Sequence, residues 1–143
     1  KKITPEEVDK AIERVGLDPG DKRTYRKYSL GMKQRIVLAQ AIMEHPSILF
    51  LDEPTTYLDI RYQIEILELV RRLNREFGMT IVMVLHDINQ SIYFSDKIIG
   101  LAGGKVIVEG EPEEVITEES IHELYGIDLK VARVDGRKFV LTV

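Results

Sequence analysis

Residues 28–59, YSLGMKQRIVLAQAIMEHPSILFLDEPTTYLD, decide the fold. Ser29 stands where a helix N-cap belongs, a helix is predicted from about Leu30 to Glu44, and Pro46 ends it. Ser47 to Leu51 (SILFL) is a short continuous apolar run, the pattern of a strand buried on both faces. That strand delivers Asp52-Glu53, and open α/β sheets place ligands just beyond the carboxyl ends of their strands.

Upstream, Thr4-Pro5-Glu6-Glu7 is a helix start, with Thr4 as cap, Pro5 in the first turn and Glu7 completing a capping box. Val8, Ala11, Ile12 and Val15 make its apolar face, and Gly16 stops it. Leu17 to Tyr28 is polar, turn-rich and basic, hence loop. Downstream, a third helix spans about Ile60 to Phe77, with Ile60, Ile64, Leu67, Val70 and Phe77 on or near one stripe and Gly78 closing it. Thr80 to Leu85 is a second buried strand with His86 at its carboxyl end. A short helix from Ile88 to Ser95 and a strand from Lys97 to Leu101 follow. Gly103-Gly104 turns a hairpin into Lys105 to Glu109. Pro112-Glu113-Glu114 and Thr117-Glu118-Glu119 open two short helices. Leu129 to Val134 and Lys138 to Val143, joined by Asp135-Gly136, form a terminal hairpin. The alternation predicts an α/β fold, a parallel sheet flanked by helices with a small C-terminal β-hairpin region. Its expected parts are a helical segment at 1–46, a partial α/β core at 47–111, and terminal helices and hairpin at 112–143.

At 143 residues the chain is long enough for one domain with a real core. A net charge of −4 gives no reason to expect nucleic acid, which needs a basic face. The absence of cysteine excludes disulfides and thiolate metal sites. No apolar run reaches the ~18 residues of a membrane span, and the start shows no signal-peptide pattern. Beginning at Lys1 without methionine, the sequence reads as a fragment.

The chemistry lies at the element ends. An aspartate in the position of Asp52 holds magnesium in P-loop ATPases, and a neighbouring glutamate, here Glu53, can orient and deprotonate an attacking water. The plain alternative is a solvated acidic loop. Ser29 and the amides of Leu30, Gly31 and Met32 can face an anion at a helix start; otherwise Ser29 is simply a cap. His86 can donate to a phosphate oxygen as charge develops there. His45 and His122 read as structural or solvated.

Taken in order, these residues resemble the C-terminal part of an ABC transporter ATP-binding subunit. Tyr28-Ser29-Leu30-Gly31-Met32, followed by Lys33-Gln34-Arg35, resembles the signature segment, usually LSGGQ-x-QR. Ile48 to Glu53 resembles the Walker B strand, Tyr57-Leu58-Asp59 the D-loop, and His86 the switch histidine. The likeness runs from Lys2 to Val131. Leu30 and Met32 depart from the usual glycine and glutamine. The stretch to Pro54 resembles drug and bacitracin exporters, whereas from Thr55 onward the chain resembles iron–siderophore importers, a join that suggests a chimera or a designed sequence.

The likeness implies a P-loop, G-x-x-x-x-G-K-[ST], and none occurs in the sequence. It also implies that a P-loop strand normally lies between Thr80–Leu85 and Lys97–Leu101, so two sheet edges are expected to be unpaired. Three repairs are expected: direct closure of the Lys97–Leu101 strand onto Thr80–Leu85, a second copy of the chain, or a separately supplied N-terminal half. A homo-oligomer is favoured.

Two functions follow. In the first, ATP and Mg2+ are sandwiched between two nucleotide-binding chains attached to membrane-embedded transporter subunits at the cytoplasmic face of the membrane, for import of iron–siderophore. The resemblance then implies that Ser29, Gly31 and Met32 meet the γ-phosphate bound by the partner's P-loop, Asp52 holds the metal and Glu53 is the base. His86 steadies the phosphate, while Gln34 and Asp59 communicate across the dimer. In the second, the chain is a non-catalytic or self-associating α/β scaffold, because the phosphate loop and its lysine are missing.

Overall fold

The computed structural model describes residues 2–142; Lys1 and Val143, the latter the expected end of the last strand, lie outside the described residues. The chain forms two compact units, the first ending at Val84 and the second beginning at Leu85.

The first unit opens with α1 (Pro5–Arg14). Its capping box is formed: Thr4 Oγ1 accepts from the Glu7 amide at 3.3 Å and the Glu7 carboxylate accepts from the Thr4 amide at 2.8 Å. Gly16 ends the helix at a φ of +77°, which a side chain would strain. A 3-10 turn at Tyr25–Lys27 precedes α2 (Leu30–Ile42), β1 (Ile48–Asp52), α3 (Ile60–Phe77) and β2 (Thr80–Val84). Helix α2 stops two residues before the expected Glu44, and His45 then turns left-handed at φ +50° ahead of Pro46. Helix α3 has the expected bounds, Asp59 capping one end and left-handed Gly78 the other.

Strands β1 and β2 pair in parallel, with Ile48 opposite Thr80 and Asp52 opposite Val84. One core joins Ala11 and Val15 of α1, Leu38, Ala39 and Ile42 of α2, Leu49 and Leu51 of β1, and Ile66, Leu69, Val70 and Leu73 of α3. Fully burying a residue of this size contributes roughly 1.5–3 kcal/mol.

Two expectations are corrected here. β1 is not buried on both faces: Leu49 and Leu51 face the core, whereas Ile48 is 52% and Phe50 73% exposed. The period-two alternation of a strand packed on one side explains this. The apolar stripe of α3 is covered only in part: Leu67 and Val70 are buried and Phe77 packs against the core, as expected. Ile60 and Ile64 are exposed, and the buried positions run Ile66, Leu67, Leu69, Val70 and Leu73, because the first turns of the helix project beyond the packed core.

The second unit contains α4 (Ile88–Phe94), β3 (Ile98–Ala102), β4 (Lys105–Gly110), α5 (Pro112–Val115), α6 (Glu118–Tyr125), β5 (Lys130–Val134) and β6 (Arg137–Leu141). β3–β4 and β5–β6 are antiparallel hairpins, and Ile92, Ile98, Ile116, Ile121 and Val140 form the core. Helix α6 approaches the first hairpin closely at Gly100, where a Cβ would lie 2.7 Å from Val108 and 2.8 Å from Leu124. Asn89 of α4 meets the outer edge of β6: its side-chain amide donates to the Val140 carbonyl at 3.0 Å, and its oxygen accepts from the Val140 amide at 2.8 Å. This side chain occupies the place of a neighbouring strand.

Among the described residues every sheet has two strands. The expected direct closure of the third strand onto the second is therefore not formed, and β2 keeps β1 as its hydrogen-bonded neighbour. No helix among the described residues is long and apolar enough to cross a membrane.

Candidate functional site

The start of α2 carries the first group of candidates. Ser29 lies in extended backbone and its Oγ accepts from the Met32 amide at 3.2 Å. The hydroxyl thus caps the helix, and its proton and second lone pair remain for another partner. Gly31 is buried; a Cβ there would touch the Tyr62 ring at 3.6 Å. The first turns of α2 and α3 thus adjoin at Gly31 and Tyr62, and the Tyr62 amide donates to Asp59 Oδ1 at 3.2 Å, capping α3.

A cleft of about 370 Å³ opens there, lined among others by Asp18, Asp21, Arg23, Ser29, Gly31 and Tyr62. Its cations are engaged within the unit. Arg23 grips the Asp21 carboxylate at 2.7–3.1 Å, which holds that carboxyl below its usual range, and its guanidinium lies 5.6 Å from the centre of the Tyr28 ring. Arg35 donates to the Val15 carbonyl at 2.7 Å and pairs with Glu65 at 3.3 Å, tying α2 to the end of α1 and to α3. Met32 is half-buried, its sulfur 3.9 Å from Arg23 Nη2, and Gln34 is half-buried on the next turn.

The second group lies on the connection from β1 to α3. Asp52 is the exposed last residue of β1. Glu53 is half-buried in left-handed backbone at φ +47°, a conformation uncommon outside glycine. The Thr56 amide donates to the Glu53 carbonyl at 3.2 Å, and the Thr56 hydroxyl donates to Glu53 Oε2 at 2.9 Å. The Leu58 amide then donates to the Thr55 carbonyl at 3.2 Å, while Tyr57, at φ +63°, is 92% exposed. Pro54, Thr55 and Leu58 are buried and anchor the connection. Gln63 donates to the Leu58 carbonyl at 2.9 Å, and Asp59 caps α3.

Sequence reasoning overlooked Thr56 and Gln63. A hydroxyl three residues beyond an acid that ends a strand is the signal that points to Thr56.

His86 belongs to the second unit, where it is exposed one residue before Asp87, the N-cap of α4, whose carboxylate accepts from the Gln90 amide at 2.9 Å. His45 packs on Phe77 with ring centres 6.0 Å apart, and His122 Nδ1 lies 2.8 Å from Asp128 Oδ1.

No three His, Asp or Glu side chains among the described residues converge as a metal cage. Magnesium does not need one, since it retains waters and takes one or two carboxylates together with substrate phosphates. An exposed carboxylate at a strand end, as at Asp52, fits that demand.

Comparison with known proteins agrees with this architecture. A family model described as ABC transporter matches residues 3–56. The petrobactin import ATP-binding protein FpuC of Bacillus anthracis is 42% identical over 132 residues, covering 92% of this chain and 48% of FpuC. The ferric enterobactin transport ATP-binding protein FepC of Escherichia coli K12 is 39% identical over 127 residues, covering 89% of this chain and 47% of FepC. Among solved structures, an ABC transporter in an inward-facing conformation superposes with a TM-score of 0.83 at 27% identity, over 94% of this chain and 54% of the other. CbiO1 of Clostridium perfringens, part of the ABC transporter complex cbiONQ, gives 0.73 at 32% identity, over 82% and 47%. The chain spans about half the length of the curated relatives it matches. In sequence and in fold, then, it resembles the C-terminal part of the ATP-binding proteins of ABC transporters.

Proposed function

We propose that this chain is the signature-bearing part of an ABC transporter ATPase, completed by a phosphate loop supplied from outside its 143 residues. The observation that carries the reading is the β1–α3 connection, which puts Asp52 at the strand's carboxyl end and a held Glu53 carboxylate directly after it. Asp52 would hold Mg2+, which neutralises charge on the β- and γ-phosphates when bound. Glu53 orients the attacking water and takes its proton. The N-terminus of α2, with Ser29, Gly31 and Met32, presents amides and the positive end of the helix dipole to a γ-phosphate, a role consistent with the adjoining cleft. His86 is assigned to steady a γ-phosphate, and Gln34 and Asp59 to relay across a two-chain interface. The domain plan of a helical signature segment at 1–46, a partial core at 47–111 and a terminal region at 112–143 belongs to this proposal.

The transported class is an iron chelate. Relatives named for import of petrobactin, ferric enterobactin, iron(3+)-hydroxamate and hemin support that choice. The partners are then membrane-embedded transporter subunits and a second nucleotide-binding chain, and the place of action is the cytoplasmic face of the membrane.

A second reading, a non-catalytic scaffold, is favoured by one observation: Arg23 and Arg35, the cations lining the cleft, are already bound to Asp21, Glu65 and the Val15 carbonyl. The two separate when a P-loop half is added in trans and ATP turnover is measured. Turnover that Glu53→Gln reduces by about a hundredfold or more supports the ATPase, in line with the cost of losing a general base. A folded complex without turnover supports the scaffold.

A further inference from the structure

We propose that Thr56 is a positioning residue for Glu53, its hydroxyl fixing the direction of the carboxylate that faces the reacting water. The inference rests on the reading of Glu53 as general base and names the device that aims it. The Thr56 hydroxyl donates to Glu53 Oε2 at 2.9 Å, and the Thr56 amide closes a turn onto the Glu53 carbonyl at 3.2 Å. One residue therefore holds both the backbone and the side chain of Glu53.

The surrounding backbone explains why such a clamp is needed. Glu53 at φ +47° and Tyr57 at φ +63° are non-glycine residues in left-handed conformation on either side of Thr56. Backbone of this kind persists only where its surroundings over-determine it. Buried Pro54 and Thr55 fix the turn from the core side. The glutamate side chain, with three rotatable bonds, would still sample several rotamers unless something outside the backbone selected one. General-base catalysis demands that selection, because a misplacement of about 1 Å costs on the order of a hundredfold in rate.

A threonine that only stabilised the turn would, when replaced, lower the melting temperature and leave the carboxylate's rotamer and the catalytic constant alone. The test uses Thr56→Val, which keeps the shape and removes the hydroxyl, Thr56→Ser, which keeps the hydroxyl, and Thr56→Ala as a second deletion should the valine variant not fold. In the 143-residue chain, side-chain coupling constants from nuclear magnetic resonance report the Glu53 rotamer without any nucleotide. Thr56→Val or Thr56→Ala is expected to spread Glu53 over more than one rotamer, and Thr56→Ser to keep one.

In the ATPase assembled with its P-loop half, the hydroxyl-deleting variant is expected to lose about tenfold or more in kcat with the KM for ATP within about twofold, the signature of an interaction used in the transition state. Thr56→Ser should restore the rate. An unchanged Glu53 rotamer in a folded hydroxyl-deleted variant overturns the proposal, as does an unchanged kcat in an assembly that Glu53→Gln inactivates. If Glu53→Gln itself leaves turnover intact, the general-base reading fails, while the rotamer measurement still decides whether Thr56 holds the carboxylate.

Discussion

Replacing Asn89 by alanine should damage the second unit more than any other single polar substitution in it. Asn89 supplies both hydrogen bonds of Val140 on the outer edge of β6, accepting from its amide at 2.8 Å and donating to its carbonyl at 3.0 Å. Val140 is 0% exposed and sits in the core with Ile92, Ile98, Ile116 and Ile121. Alanine leaves an amide and a carbonyl without partners at a position where water has little access. A typical hydrogen bond contributes about 0.5–1.5 kcal/mol net, and stranding a buried polar group costs about 1–3 kcal/mol. With some relaxation at the strand edge, the expected loss is about 2–4 kcal/mol.

That is a large share of the stability available to so small a unit, since folded proteins hold roughly 0.05–0.15 kcal/mol per residue. Urea unfolding followed by tyrosine fluorescence would measure the loss, and amide hydrogen exchange would localise it. The Val140 amide should exchange roughly 30- to 1,000-fold faster, at about 1.4 kcal/mol per tenfold. A loss below about 0.5 kcal/mol with Val140 still protected would refute the reasoning, because the edge would then be satisfied by something other than Asn89.

Other outcomes follow from the same unit. Gly100→Ala places a methyl group 2.7 Å from Val108 and 2.8 Å from Leu124, so the contact between α6 and β3–β4 must open; thermal denaturation should show a loss of about 1–3 kcal/mol, the usual cost of overpacking. Glu113 accepts from the Lys138 amide and lies beside Arg133, which together hold its carboxyl below the ordinary value of 4.5. Because this carboxyl is more acidic folded than unfolded, its stabilising effect is present above that value and is lost as pH falls through it and on through the folded-state value. An acid titration of stability should therefore decline from about pH 4.5 downward, less steeply in Glu113→Gln and less steeply in high salt, as expected of an exposed pair.

What could be read from sequence was what the chain settles locally. Thr4 with Glu7 and Gly78 after Phe77 each determine an end within a few residues, and α3 has its expected bounds. The Gly103-Gly104 and Asp135-Gly136 turns placed two hairpins for the same reason. Burial was less legible because it is decided by what packs opposite. Ile60 and Ile64 fit the apolar period of α3 but lie beyond the reach of the core, and Ile48 and Phe50 belong to an apolar run of which only alternate residues are covered. The edge contact of Asn89 joins positions 51 apart in sequence, and neither residue carries any mark of it.

The candidate site divides along the same line. Ser29 was recognisable because a helix cap is a local pattern, and in the structure it does accept from its helix's first turn, as Asp59 and Asp87 do from theirs. Capping and anion binding are compatible at Ser29, whose proton and second lone pair stay available. The β1–α3 connection is harder to read, because its shape comes from two non-glycine residues in left-handed backbone that no propensity favours. Its covered side helps to hold it: Pro54, Thr55 and Leu58 are buried, two turn hydrogen bonds close within it, and Leu49 and Leu51 seat the strand before it. On the other side of the strands Ile48, Phe50, Val82 and Val84 are exposed. A carboxylate held this way in a two-stranded sheet is already preorganised before any phosphate loop is brought to it.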